Sequence, residues 1–159
     1  MIKNFSFKSF ATLLAIVLIG SVLLAACAPA AAPSDKNSEI PKPSNPGGNG
    51  PAASLTGDAT AGAAVFTANC VTCHGDLGKV GVPNPGSTDG TVPNLNPIDP
   101  GLLNPDVKVS IQRIDLFLEH GSTPGGSAPA LKMAAFGDDK TLTAQQIADV
   151  IAYVISLNK

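Results

Sequence analysis

Cys70 and Cys73 stand three positions apart, and a histidine follows the second at once: Cys70-Val71-Thr72-Cys73-His74. Side chains of these types at this spacing can do one of three things. The thiols could close a disulfide in an exported protein, which would leave the adjacent imidazole without a role. They could found a zinc site, which needs four nitrogen or sulfur ligands, and the only other soft ligand in this part of the chain is the distant His120. Or they could add to the two vinyl groups of one porphyrin while the imidazole is delivered to its iron, the way a c-type haem is attached. Only the third chemistry uses all three residues without calling on a distant fourth ligand, and one covalent haem c is therefore expected on Cys70 and Cys73 with His74 as an axial ligand.

Such a site must be held by the elements around it. From Leu55 to Lys159 the chain is one small domain of 105 residues with four aromatics (Phe66, Phe117, Phe136, Tyr153) and no Trp, a size at which a core is marginal without help. Asp58 to Asn69 reads as a helix capped by Asp58 or Thr56, with Ala61, Val65 and Phe66 along one side. Val109 to His120 carries Ile111, Ile114, Phe117 and Leu118 at helical spacing and stops at Gly121. Thr143 to Leu157 opens with Thr143 and Gln146 at capping-box positions and offers Ile147, Val150, Ile151 and Val154, with Tyr153, to a core.

Between the first two helices, Gly75 to Val107 holds six Pro and six Gly and shows no periodicity. A structureless loop of that length is unusual in a compact domain. A large flat cofactor would account for it, because the haem supplies apolar core and the loop needs only to wrap it. Ser122 to Leu131, a second Gly/Pro-rich stretch, could do the same on the other face.

The N-terminal third is of a different kind. Lys3 and Lys8 precede the apolar run Phe10 to Ala26, and the segment ends in Leu24-Ala25-Ala26-Cys27. It resembles a bacterial lipoprotein signal over residues 1–26, which implies an acylated Cys27 as the first mature residue; an uncleaved anchor is the alternative. Residues 27–54, rich in Ala, Pro, Ser, Asn and Gly, are too poor in apolar surface to offset their ordering entropy and are expected to be a disordered tether with a reach of roughly 30 Å. The tether could serve a swinging carrier or merely clear the envelope. Either form of anchor places the 55–159 domain outside the cytoplasm, in the periplasm or on the outer face of the cytoplasmic membrane.

The order helix, C-x-x-C-H, long loop, helix, loop with Met, amphipathic C-terminal helix resembles class I cytochrome c of the small bacterial type, over the whole of 55–159. The resemblance implies an all-α fold of three or more helices with long loops around one covalent haem. It implies that Met133, in Lys132-Met133-Ala134-Ala135-Phe136-Gly137, binds the iron opposite His74, although the family often has Pro where Ala134 stands. It also implies that Pro93, in Val92-Pro93-Asn94-Leu95, accepts a hydrogen bond from the ligand His, and that Gly62, Phe66 and Tyr153 pack the first helix on the last. His120, at a helix end, competes with Met133 for the sixth position, and Lys132 is a weaker candidate at alkaline pH.

A His/Met haem has both axial positions filled, so it exchanges electrons but offers substrate no open site. No acid, base or nucleophile constellation calls for catalysis. The expected role is a tethered electron carrier, with a haem-based sensor or gas-binding module as the alternative if the sixth ligand is displaceable. Within 55–159, six Lys/Arg against ten Asp/Glu leave a net charge of −4, so partners with a basic or mostly apolar face are expected and nucleic acid is not. Those partners would be redox proteins, a membrane quinol-oxidising complex and a terminal acceptor. The monohaem lipoprotein subunit of alternative complex III resembles this plan.

Overall fold

A computed structural model describes residues 40–159 of the chain. The lipobox Cys27 and the signal expected over 1–26 lie outside the described residues. Four α-helices carry the fold: α1 (Ala59–Asn69), α2 (Val71–His74), α3 (Val107–His120) and α4 (Ala144–Ser156), with short 3-10 turns at Pro51–Ser54, Asp76–Gly78 and Pro100–Leu102. Among the described residues there are only two isolated β-bridges, Pro83 with Thr91 and Ser122 with Met133. The domain is all-α, as expected.

Local signals set the helix starts. Asp58 caps α1 by accepting from Thr60 N–H at 2.7 Å. Thr143 and Gln146 form the full capping box of α4, Gln146 N–H reaching Thr143 Oγ1 at 3.2 Å and Thr143 N–H reaching Gln146 Oε1 at 2.9 Å. Asp106 caps α3 through Lys108 N–H, which starts that helix at Val107, two residues before the expected Val109. Gly121 ends it.

α1 and α4 cross in close contact. Phe66 is buried and its ring lies 5.3 Å from that of Tyr153 at a 58° tilt. On α1 the contact is carried by Gly62 and Phe66, whereas the expected Ala61 is exposed and Val65 only half-buried. A Cβ on Gly62 would sit 2.0 Å from the Asp149 carbonyl oxygen on α4. Alanine favours an exposed helix over glycine by about 1 kcal/mol, but a backbone carbonyl at that distance yields only if the helices separate. Gly62→Ala is therefore expected to destabilise the domain, by about 1–3 kcal/mol, read as a lower denaturant midpoint at unchanged slope.

The tether expected over 27–54 is corrected at its C-terminal end. Residues 44–54 pack on α3. Asn45 Nδ2 donates to the His120 carbonyl and Asn49 Nδ2 to that of Gln112. Gly50 N–H donates to Asp115 Oδ2 at 2.8 Å, and Ala52 is fully buried. The strap is held by backbone and amide hydrogen bonds to fixed acceptors with a single small apolar anchor, so low hydrophobicity is a poor guide to it.

His120 belongs to the same contact. Its Nδ1 lies 2.8 Å from Asp138 Oδ2 and its Nε2 2.7 Å from the Gly48 carbonyl. Both partners are acceptors, so both contacts are satisfied at once only by the imidazolium. Asp138 first, then the Gly48 carbonyl, hold the His120 pKa above its ordinary value. Burial raises the carboxyl pKa of Asp115 and of Glu119 beside it, so these groups too take up protons more readily in the folded state. A raised histidine pKa gives stability that is complete below the unfolded value of about 6.5 and is lost as pH climbs through the folded one. Protection of the 44–54 amides, after correction for the base-catalysed intrinsic exchange, is thus expected to fall on passing from mildly acidic to mildly alkaline pH, and the neutral-range part of that fall to vanish in His120→Asn.

Candidate functional site

The C-x-x-C-H run begins where α1 ends. Cys70 caps the α1 C-terminus, its N–H bonded to the Phe66 carbonyl at 2.8 Å, and α2 turns Cys73 and His74 toward the interior. The two sulfurs are not joined to each other in a disulfide. Burial first, and then the neighbouring Cys73, push the Cys70 thiol up to about 11, so it is protonated at neutral pH and a weak thiolate nucleophile.

His74 Nδ1 lies 2.8 Å from the carbonyl oxygen of Pro93. A proline carbonyl can only accept, so Nδ1 carries the proton and Nε2 keeps its lone pair for a metal. Burial lowers the imidazole pKa against the opposing pull of the Pro93 carbonyl, which favours the neutral ring that ligation needs. The loop that delivers Pro93 is less featureless than its composition suggests. Val82 N–H bonds the Cys73 carbonyl at 3.0 Å, Leu95 N–H the Gly78 carbonyl at 2.8 Å, and Asn158 at the end of the chain holds both Leu95 O and Ile98 N–H.

These residues open on one apolar cavity of about 310 Å³, within the usual range for cofactor sites. Cys70, Cys73 and His74 line it from one side of the chain's path; Met133 lines it from the loop after α3, together with Phe66, Leu95, Ile98, Phe117 and Val154. Met133 is half-buried, and its backbone is held in both directions by Ser122, N–H to O at 2.8 Å and O from N–H at 3.1 Å. Lys132 also borders the cavity but is exposed. His120 does not reach it; both ring nitrogens are taken by Asp138 and Gly48. The four soft ligands that a zinc site would need therefore do not converge. Two thiols, a neutral imidazole with a free Nε2 and a thioether around an apolar chamber are a donor set that fits haem c.

A family model described as cytochrome c oxidase, cbb3-type, subunit III matches residues 57–154. The chain belongs to that family. It is an all-α cytochrome c domain that uses haem c and transfers electrons. A similar protein is the Cbb3-type cytochrome c oxidase subunit CcoP of Cereibacter sphaeroides, 35% identical over 104 residues, which cover 62% of this chain and 30% of that protein. The chain thus spans less than a third of this cytochrome relative's length. No solved structure matches it.

Two residues that hold this cytochrome site together carry no signal in the sequence. Asn84 is fully buried and spans two loops beside the cavity, and Asn158 ties the 95–98 segment to the end of α4. Each is an ordinary Asn between Pro/Gly or terminal residues until its distant partner is known.

Proposed function

We propose that this chain is a single-haem cytochrome, covalently loaded through Cys70 and Cys73, with His74 and Met133 as the axial ligands. It passes single electrons as a subunit of a membrane oxidase complex. The observation that carries this reading is that all four side chains line one apolar cavity while His120 is engaged elsewhere. When bound, the haem supplies a one-electron Fe(III)/Fe(II) couple. The protein's part is to hold it: Pro93 orients the His74 ring, Ser122 fixes the Met133 backbone, and the apolar lining excludes water. A neutral thioether in such a chamber favours the ferrous state and a raised potential relative to two histidines.

The relative's printed role, a subunit of a cbb3-type oxidase, supports a place in a complex of that class over a free carrier or an alternative complex III subunit. The signal-like run Phe10 to Ala26 ending in Leu24-Ala25-Ala26-Cys27 supports attachment through the N-terminal segment, with Cys27 as the lipid site and the domain outside the cytoplasm; among the described residues no helix is long and apolar enough to cross a membrane. The surface near His74 suits an apolar partner face: Leu77 is 47% exposed in a left-handed conformation (φ 56°) that costs about 1–2 kcal/mol, and Val80 is 72% exposed.

Optical spectra of the purified protein test the ligation. A weak far-red Fe(III)–sulfur band and no reaction of the reduced form with carbon monoxide are expected; ready binding of the gas would instead make it a sensor or gas-binding module. Mild detergent extraction followed by a native gel and haem stain tests the setting. Co-migration with a large complex is expected, and a lone small haem band would exclude the subunit role.

A further inference from the structure

Asn84 is completely buried and borders the cavity, yet it touches neither His74 nor Met133 through any hydrogen bond. Its side chain instead makes a matched pair with the backbone of Leu131: Leu131 N–H donates to Asn84 Oδ1 at 2.8 Å, and Asn84 Nδ2 donates to the Leu131 carbonyl at 3.0 Å. The amide thus replaces the opposite strand of a ladder, two residues before Met133. Its own backbone is fully committed as well, N–H to the Gly90 carbonyl at 2.8 Å, and carbonyl to Ser87 Oγ at 2.8 Å.

Around this pair the two Pro/Gly-rich loops are joined backbone to backbone. Ala130 N–H bonds the Pro85 carbonyl at 3.0 Å and Thr88 N–H the Gly125 carbonyl at 2.7 Å. The chains approach so closely that a Cβ on Gly86 would lie 2.1 Å from the Ala128 carbonyl oxygen. The 83–91 segment is therefore a brace for the loop that carries Met133, not only a cover for the cavity.

We infer that Asn84 is the positioning residue for the methionine side of the haem site: its clamp on Leu131 sets how rarely the Met133 loop swings away from the cavity. This rests on the reading of Met133 as axial ligand. Without the amide, Leu131 N–H and C=O lose these partners in the wall of an apolar chamber, and a buried polar group left unpaired forfeits the full cost of its desolvation. The closed loop is then disfavoured at least roughly tenfold.

Holoprotein carrying Asn84→Asp and Asn84→Ser tests this against Leu142→Ala, a buried core change away from the cavity. Loss of the far-red Fe(III)–sulfur band on warming should precede global unfolding in both Asn84 variants and coincide with it in Leu142→Ala. Carbon monoxide should bind the reduced Asn84 variants within a time over which the wild type shows no reaction, and Leu131 amide exchange should quicken at least roughly tenfold relative to wild type. Asn84→Asp adds a rescue that mere packing would not show. Its carboxylate repels the Leu131 carbonyl, whereas the protonated acid restores a donor, so acid should return the slow rates in that variant but not in Asn84→Ser. Asp89, Asp99 and Lys132, the other charged groups on the cavity, and the His74 imidazole are common to all variants and are controlled by wild type at the same pH. Band loss that tracks global unfolding in the Asn84 variants as in Leu142→Ala, with wild-type gas binding, would overturn the inference while leaving Met133 as ligand. A wild-type protein without the far-red band would overturn both, even if Leu131 exchange responds to Asn84.

Discussion

Cys70→Ala combined with Cys73→Ala is expected to leave no cooperatively folded domain. Haem that cannot be attached is retained poorly, and the chain must then close or tolerate a chamber of about 310 Å³. At about 24 cal/mol per Å³ of residual cavity, an open chamber of that size costs about 7 kcal/mol. A domain of this length has only about 5–15 kcal/mol to lose. The lining does not readily collapse to compensate, because Leu95 and Ile98 are tied to Asn158, Met133 is tied through its backbone to Ser122, and Phe117 is carried by α3. The double variant should keep far-UV helical signal, lose near-UV signal and unfold without a sharp transition. A sharp transition of normal amplitude in haem-free double variant would show that the cofactor is not part of the core.

Met133→Ala should abolish the far-red Fe(III)–sulfur absorption completely and let carbon monoxide bind the reduced protein to one equivalent. The fold should survive, since Met133 is only half-buried and its backbone contacts with Ser122 do not involve its side chain. The replacement also removes the one thioether on the cavity, so the potential should fall toward that of a site without a sulfur ligand. His120 should not take over the vacated position: moving it would break its contacts with Asp138 and Gly48 and with them the strap over α3. Persistence of the far-red band in this variant would sink the ligand assignment. A new bis-histidine spectrum that disappears on adding His120→Asn would show that the strap yields.

The readable parts of this molecule are those whose cause is local. Asp58, Thr143 and Gln146 cap helices within three residues of themselves, and the apolar spacing of α3 and α4 marks their buried faces without reference to any other element. The pentapeptide at 70–74 is legible for the same reason, since two thiols and an imidazole must stand that close to serve one porphyrin. The 44–54 strap was not legible, because Gly50 and Asn49 are ordered by Asp115, some 65 residues away, and not by any pattern of their own. Nor was the brace at Asn84, whose partner Leu131 is 47 residues on.

The amino-acid sequence by itself determined the cofactor chemistry, the all-α class and the positions of the main helices, because attachment spacing, capping and helical periodicity act over a few residues. Only the tertiary structure decided which soft side chains share a cavity. It committed His120 to Asp138 and Gly48, brought Met133 to the chamber that His74 lines, and gave a Pro/Gly-rich loop the task of bracing it. The physical reason is that a buried polar group must find a partner, and no local rule says where along the chain that partner will be.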